Sequence, residues 1–383
     1  MALPISAAEL KLRAQEIPER LEVGYAVTVV DMNADKRPDI VVVDTNRVIW
    51  FENPSWRVHT LIQDQTKRDN VCLAPYDIDG DGQLDFALGA DWRPADTRTG
   101  GTIQWISRGG AAAGRWQVHA IGEEPTTHRM RWVDLDGDGR SELVVAPLFG
   151  RNSTKPLFME APMRLLAYSI PADPVKGPWQ AKVISEELHV AHNFWPTDLD
   201  RDGRVDLLVA SFEGVTLLTQ DAGGAWKSRR IGAGNQDNRE SRGASEIKHG
   251  RFADGGDYIA TIEPWHGYQV VVYTRPADDA QLWRRQVLDD DLKWGHAVWC
   301  ANLDDDDDEE LVIGVRDDKS GAGRCGLRIY DPAAGGEWRR HVIDPGGINI
   351  EDLTVADFNG DGRNDIVAVG RQSHNIKVYW NER

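Results

Sequence analysis

The 383-residue sequence predicts an all-β fold, a seven-bladed β-propeller with four antiparallel strands in each blade. Three observations carry that reading. An acidic loop recurs seven times. Each copy sits in the same frame of four short apolar or alternating segments. The last copy lacks a fourth segment, and the N-terminus contains one that could supply it.

The acidic loops lie near 31–39, 77–85, 134–142, 198–206, 250–257, 302–310 and 357–365, roughly 45–65 residues apart. That spacing falls within the range of propeller blades. Before each loop comes a short apolar strand, such as "GYAVTVV" or "HAVWCAN". After it comes a β-branched one, such as "DLLVAS", and then an alternating one, such as "TIQWISR". The fourth segment usually opens on tryptophan, as in "WQVHAIG" and "WRRHVID". Period-two patterning with turn signals and no helical spacing reads as antiparallel strands. Most of the 15 tryptophans thereby become blade packing. The chain stops at "NIKVYWNER", after a third segment, and residues 9–17, "ELKLRAQEI", are expected to complete that blade. Closure in this way leaves no exposed sheet edge. Residues 1–383 are therefore expected to form a single domain.

The loops follow D-x-D-x-D-G-x-x-[DE]. Alternate side chains point to one centre, and the glycine permits a tight turn, a pattern suited to a hard cation with oxygen ligands. Four copies are complete: Asp77, Asp79, Asp81 and Asp85; Asp134, Asp136, Asp138 and Glu142; Asp198, Asp200, Asp202 and Asp206; Asp357, Asn359, Asp361 and Asp365. The first copy has Lys36 at the glycine position. The fifth has lost most of its ligands, and the sixth begins with Asn302 and has Asp307 in place of glycine. An EF-hand sensor would need flanking helices and a glutamate at position 12, and neither is present. The loops are read as structural sites for Ca2+ or Mg2+, pinning the turn between the first two strands of a blade. They resemble FG-GAP or VCBS repeats, which imply a propeller and leave function open.

A net charge of −18 argues against nucleic acid or an anionic membrane surface as partner. No apolar run is long enough to span a membrane. No signal peptide is visible, so the chain reads as cytoplasmic, or as periplasmic or secreted if a leader was removed. Cys72, Cys300 and Cys325 form neither a disulfide framework nor a metal knuckle. The expected state is a monomer or small homo-oligomer.

Function is expected at the channel mouth opposite the cation loops, where first strands begin and second strands end. Six residues before the first acidic position stand His128, His192 and His296 in blades three, four and six, with Tyr25 in blade one and Glu351 in blade seven. Equivalent radial positions would aim the three imidazoles at one mouth. There they could hold Zn2+ or another divalent metal, or act as bases. The ends of second strands add Trp265 and His266, Arg316 and Asp317, Arg371, Asp91 and Trp92. Arg129, Arg131, Asn193 and Lys293 stand beside the histidines, and the polar entry to blade five contributes Arg242, Ser245 and Glu246. The excursion at 149–162 is long enough to cover a site. No nucleophile elbow, phosphate loop or dinucleotide fingerprint occurs.

The strings "THRMRWVDLDGDG", "HNFWPTDLDRDG", "RGASEIK", "IATIEPWHGYQVVVYT" and "KWGHAVWCANLD" resemble the propeller domain of the aldos-2-ulose dehydratase family across blades three to six. The resemblance implies a carbon–oxygen lyase that removes water from a keto sugar such as 1,5-anhydrofructose. In that scheme His128, His192 and His296 frame a metal or base site. Arg129 and Arg316 steady the oxyanion, and His266 or Tyr25 move protons. Trp265, Asn193, Glu246, Arg242, Lys293 and Glu351 contact the sugar. Two alternatives remain open: a polysaccharide lyase acting on uronate glycans, and a non-catalytic carbohydrate- or protein-binding propeller.

Overall fold

The computed structural model describes residues 10–109, 115–221, 223–304, 306–317 and 324–383. Its strands form seven four-stranded antiparallel sheets. The innermost strands are Ala26–Val30, Cys72–Tyr76, Thr127–Val133, Asn193–Thr197, Ile247–Arg251, Gly295–Ala301 and Ile350–Ala356, in blades one to seven. Each touches the next in this order, and the last touches the first, so the ring closes. Blade seven takes its outer strand from the N-terminus. Leu12–Ile17 runs antiparallel to Ile376–Asn381, with Leu12 opposite Asn381 and Ile17 opposite Ile376. Glu9, the first residue of the expected closing segment, lies outside the described residues.

The strands stay in this register because their second members are apolar on both faces. Asp39–Asp44, Asp206–Ser211 and Asp365–Gly370 are buried along their whole length, as a sheet packed between two neighbours requires. Between each pair of adjacent blades lies one apolar cluster. Six of the seven clusters include the tryptophan that opens a fourth strand: Trp56, Trp116, Trp179, Trp226, Trp283 and Trp338. The exception joins blades six and seven, where Leu10 and Leu12 of the closing strand take that place. Buried tyrosines add polar staples across two interfaces. Tyr330 Oη donates to Asp289 at 2.6 Å, and Tyr379 Oη donates to Asp344 at 2.8 Å. Among the described residues no helix is long and apolar enough to cross a membrane.

The first acids of the loops are satisfied within their own turns. In blade two Asp77 accepts from the backbone N–H of Gly80 and Gly82, both at 2.9 Å, and blade three repeats this with Asp134, Gly137 and Gly139. The ninth-position acid turns inward instead. Asp85 accepts from Ile78 N–H, and Asp39, Asp206 and Asp365 make the same contact in their own blades. Lys36 adopts φ 69°, taking the left-handed conformation that Gly82, Gly139, Gly203 and Gly362 supply in the four complete copies.

Blade six departs from this pattern. In blades one and seven the second oxygen of the ninth-position acid accepts a backbone N–H, from Asn53 to Asp39 and from Asn381 to Asp365, both at 2.8 Å. The strand registers place Pro332 at the equivalent position in blade six. Proline has no N–H to give, so Glu310 Oε1 has no hydrogen-bond partner. Beside it Asp304 Oδ2 and Asp331 Oδ1 are also buried and unpartnered. Ligand oxygens of these three carboxylates lie within 4.8 Å of one another. Burial, aided by the neighbouring carboxylates, pushes Glu310 up to about 9. The copy that the loop motif ranks among the weakest thus holds the most deeply buried acidic cluster. Asp331, its third member, lies on another strand and outside the motif.

Candidate functional site at the channel mouth

Blade register carries three histidines to one place. His128 and His296 lie at the starts of their inner strands, and His192 immediately precedes Asn193–Thr197. His266 arrives from a different direction, in the loop after Asp257–Glu263, where its φ of 49° turns it back over the channel. His192 is central. Its Nε2 lies 3.0 Å from His128 Nε2 and 2.6 Å from His266 Nε2. The His296 ring centroid is 5.1 Å from that of His192 and 5.0 Å from that of His266. Trp92 stacks on His128 with centroids 4.9 Å apart, and Trp265 stacks on His266 at 4.3 Å.

Partners on the other ring nitrogens assign the tautomers. His192 Nδ1 lies 2.7 Å from the Glu246 carboxylate, and His296 Nδ1 meets the backbone oxygen of Glu351. The Glu351 oxygen only accepts, so His296 Nδ1 carries the proton and its Nε2 presents a lone pair. His128 is reversed. Arg129 Nη1 donates to its Nδ1 at 3.0 Å, so its Nε2 carries the hydrogen and points at His192. The nitrogens that converge as potential ligands are those of His192, His266 and His296, with all ligand atoms within 4.8 Å of one another. The metal trio expected from the repeat register was His128, His192 and His296. His266 takes the place of His128, because Arg129 commits His128 to being a donor.

The electrostatics keep the cluster neutral. Burial, helped by Arg129 and neighbouring imidazoles, holds His128 well below the usual histidine range. Burial does the same for His266 and for His296, with Arg316 contributing to both. His192 is also lowered by burial, against the pull of Glu246. Burial alone would raise Glu246, but His192 and Arg129 outweigh it and hold the carboxyl at about 2. Glu246 receives Arg129 Nη2 at 3.3 Å and a hydrogen bond from Asn193, whose Oδ1 accepts from Arg131 at 3.0 Å.

A second ionic group stands beside His296. Glu351 Oε1 is 4.0 Å from His296 Nε2 and 2.6 Å from Arg371, while Arg316 Nη1 is 3.6 Å from its Oε2. Glu351 Oε2 is buried without a hydrogen-bond partner. Arg316 also pairs with Asp317 at 2.9 Å. Tyr25 donates to Asp69 at 3.2 Å beneath the Arg371 guanidinium, and burial raises its phenol to about 12.

Other expected site residues are placed less centrally. Trp265 packs against a cluster of Leu148, Phe149, Phe158, Val190 and Phe212, so the excursion at 149–162 does reach the mouth. Arg242 lies over the Phe212 ring at 5.6 Å and beside Met159. Lys293 Nζ lies 5.8 Å from the Trp294 ring centroid. Ser245 gives its hydroxyl to the Ile262 carbonyl. Asp91 is held by Arg93 at 2.8 Å and Lys67 at 3.2 Å as a rim ion pair. Cys72 and Cys300 are free thiols, and burial raises both to about 12, far from a reactive thiolate. Two residues of the same channel escaped the sequence reading, Lys248 and Asp352. Lys248 lies in blade five, whose acidic loop is too degraded to fix the register.

Comparison with known proteins agrees with this architecture. Residues 100–276 match the family model described as the aldos-2-ulose dehydratase β-propeller domain, and residues 31–88 match an FG-GAP-like repeat. The aldos-2-ulose dehydratase of Phanerodontia chrysosporium is 28% identical over 56% of this chain. The matched segment spans 26% of that protein, so the chain corresponds to about a quarter of its relative's length. A solved structure of an Agrocybe aegerita lectin, described as recognising non-reducing terminal N-acetylglucosamine, aligns with a TM-score of 0.53 at 14% identity. It covers 94% of this chain and 85% of the lectin, a likeness of fold alone. The chain is a seven-bladed β-propeller that resembles the propeller domain of aldos-2-ulose dehydratase and, over residues 31–88, an FG-GAP-like repeat.

Proposed function

We propose that the mouth eliminates water from a keto sugar, with 1,5-anhydrofructose as the first substrate to try. The observation that carries this reading is the convergence of neutral His192, His266 and His296 beside Glu351 and Arg316. The donor set suits a divalent transition metal such as Zn2+, since three imidazoles leave a position open. His192 and His296 also have the orienting acceptor on the second ring nitrogen that metal-bound histidines use. A bound cation would supply positive charge opposite the developing enediolate.

The remaining steps belong to the chain's own side chains. The unpartnered Oε2 of Glu351 accepts the proton α to the ketone. Arg316 steadies the charge left on the carbonyl oxygen. Tyr25, kept protonated by burial, gives its proton to the departing β-hydroxyl, which leaves as water. His128 packs edge-on against His192 beneath Trp92 and is a positioning residue. A uronate polymer lyase would use the same elimination, so both substrate classes belong in the assay.

We assign structural Ca2+ or Mg2+ sites to the blade loops, with Asp304, Glu310 and Asp331 as the strongest. Three buried carboxylates with unpartnered oxygens call for a hard cation. The test of function is to follow enone absorbance in the ultraviolet with 1,5-anhydrofructose, other keto sugars and uronate polymers, with and without chelator. A rising chromophore that His192→Ala abolishes supports the reading. No chromophore from any of these substrates would sink it.

A further inference from the structure

Between the histidines and the cation loops the channel encloses a cavity of about 320 Å3. That is at the lower end of small-molecule pockets, which run to roughly 300–1,000 Å3. Arg129, Arg131, Lys248, Glu246 and Asp352 line it, with Trp195 and Trp299. Lys248 is 4% exposed. Its Nζ lies 4.0 Å from the Trp195 centroid and 5.0 Å from that of Trp299. Among the described residues it makes no hydrogen bond and no ion pair. A buried ammonium without an acceptor is costly, and the indole faces offset only part of that cost.

The other charges around the cavity are unequally satisfied. Glu246 already serves His192, Arg129 and Asn193. Asp352 accepts the backbone N–H groups of Val27 and Leu353, both at 3.0 Å. Arg131 gives one Nη to Asn193 and lies over Phe194 at 4.9 Å, leaving donors free. Three cations against two carboxylates leave a formal charge of +1, with spare donors and few spare acceptors. Because Lys248 and Arg131 already occupy faces of Trp195, ring stacking is not what this chamber offers a ligand.

We propose that this chamber binds one small carboxylate, held by Lys248 and Arg131, beneath the histidine mouth, with which it shares Arg129 and Glu246 as walls. One monoanion would neutralise the chamber. The proposal does not depend on dehydration. The carboxylate could belong to a free small acid or be carried on a sugar, and the probes below separate the two. A pH dependence follows. Burial, followed by Arg131, lowers Lys248 to about 7. The charged amine binds the anion, so affinity should be greatest below pH 7 and fall roughly tenfold per unit above it.

The experiment is calorimetric titration of the full chain at pH 6.5 and low salt with acetate, D-glucuronate, glucose and inorganic phosphate. One-site binding of a carboxylate is expected, with glucose at least tenfold weaker. Glucuronate exceeding acetate by tenfold or more identifies a sugar acid, and parity identifies a free acid. Lys248→Met and Arg131→Gln should each weaken binding at least tenfold, whereas His266→Ala should leave it within twofold. The proposal is overturned if neither carboxylate binds, if glucose matches them, or if phosphate binds tighter than both. It is also overturned if Lys248→Met binds like the unmodified chain. Should that variant not fold, equal affinity of the unmodified chain at pH 6 and pH 8.5 would overturn it.

Discussion

The inner strands of blades three and four each join two kinds of chemistry six residues apart. Asp134 and Asp198 sit at one end, and His128 and His192 at the other. At the loop end, the first acid of each regular copy accepts backbone N–H groups of its own loop. At the mouth the central contacts cross between blades. His192 of blade four depends on Glu246 at the entry to blade five, on His128 of blade three and on His266 of blade five. Repetition therefore marks what each blade needs to stand. Departure from repetition marks what the ring does as a whole.

The sharpest way to break that contrast is to remove one member from each end. His192→Ala or His296→Ala should lower keto-sugar turnover by about 10^3-fold or more, in the range expected for a lost acid–base or cation-holding group. Asp136→Asn should leave turnover unchanged. Initial rates from enone absorbance, with circular dichroism to establish folding, decide the matter. Equal losses in both variants would dissolve the distinction between the two ends.

Blade six tests the same comparison where a loop departs from its repeat. Without a cation, Asp304, Glu310 and Asp331 oppose one another in a buried site, and Asp331→Asn should stabilise the chain. With Ca2+ or Mg2+ in excess, the same substitution removes a ligand and should destabilise it. Binding at about a hundredfold excess over Kd is worth roughly 2.7 kcal/mol. Thermal melts in chelator and in excess cation should therefore give shifts of opposite sign. Shifts of one sign in both conditions would show that no cation uses these carboxylates.

The legibility of the two ends in the sequence follows from the same physics. Loop positions are set by local spacing, so the seven copies, four strands per blade and the closing role of Leu12–Ile17 could be read directly. His128, His192 and His296 were legible because they share a register position, and His266 because it ends a second strand. What could not be read depends on contacts across the ring. Only the fold shows that Arg129 fixes the His128 tautomer, that Lys248 lies between Trp195 and Trp299, or that Pro332 leaves Glu310 unsatisfied.

A third prediction concerns the blade interfaces that hold both ends in place. Burial raises Tyr25 to about 12 and carries Tyr330 and Tyr379 higher still. Between the ordinary tyrosine value of about 10 and these raised values, the unfolded chain ionises while the folded chain keeps its protons. The folded state then binds more protons, so stability falls as pH rises, by about 1.4 kcal/mol per unit for each such tyrosine. Denaturant midpoints should decline above pH 10, and Tyr330→Phe should flatten the decline. An unchanged slope in that variant would show that the Tyr330–Asp289 staple plays no part in it.

The smallest expected effect is the most exacting for the proposed division of labour. Asp136 in blade three is exposed, and its oxygen accepts only the Asp138 N–H of its own turn. Asp136→Asn keeps that acceptor while removing one charge from the loop. Exposed single interactions of this kind contribute about 0–1 kcal/mol. The variant should therefore melt within a few degrees of the unmodified chain in chelator. In excess Ca2+ it should lose whatever stabilisation the blade-three loop draws from the ion, and nothing at the mouth should change. If instead Asp136→Asn altered enone production or carboxylate binding at constant fold, the loop face would be coupled to the histidines along Thr127–Val133. The inner strand would then transmit between its two ends rather than keep them apart.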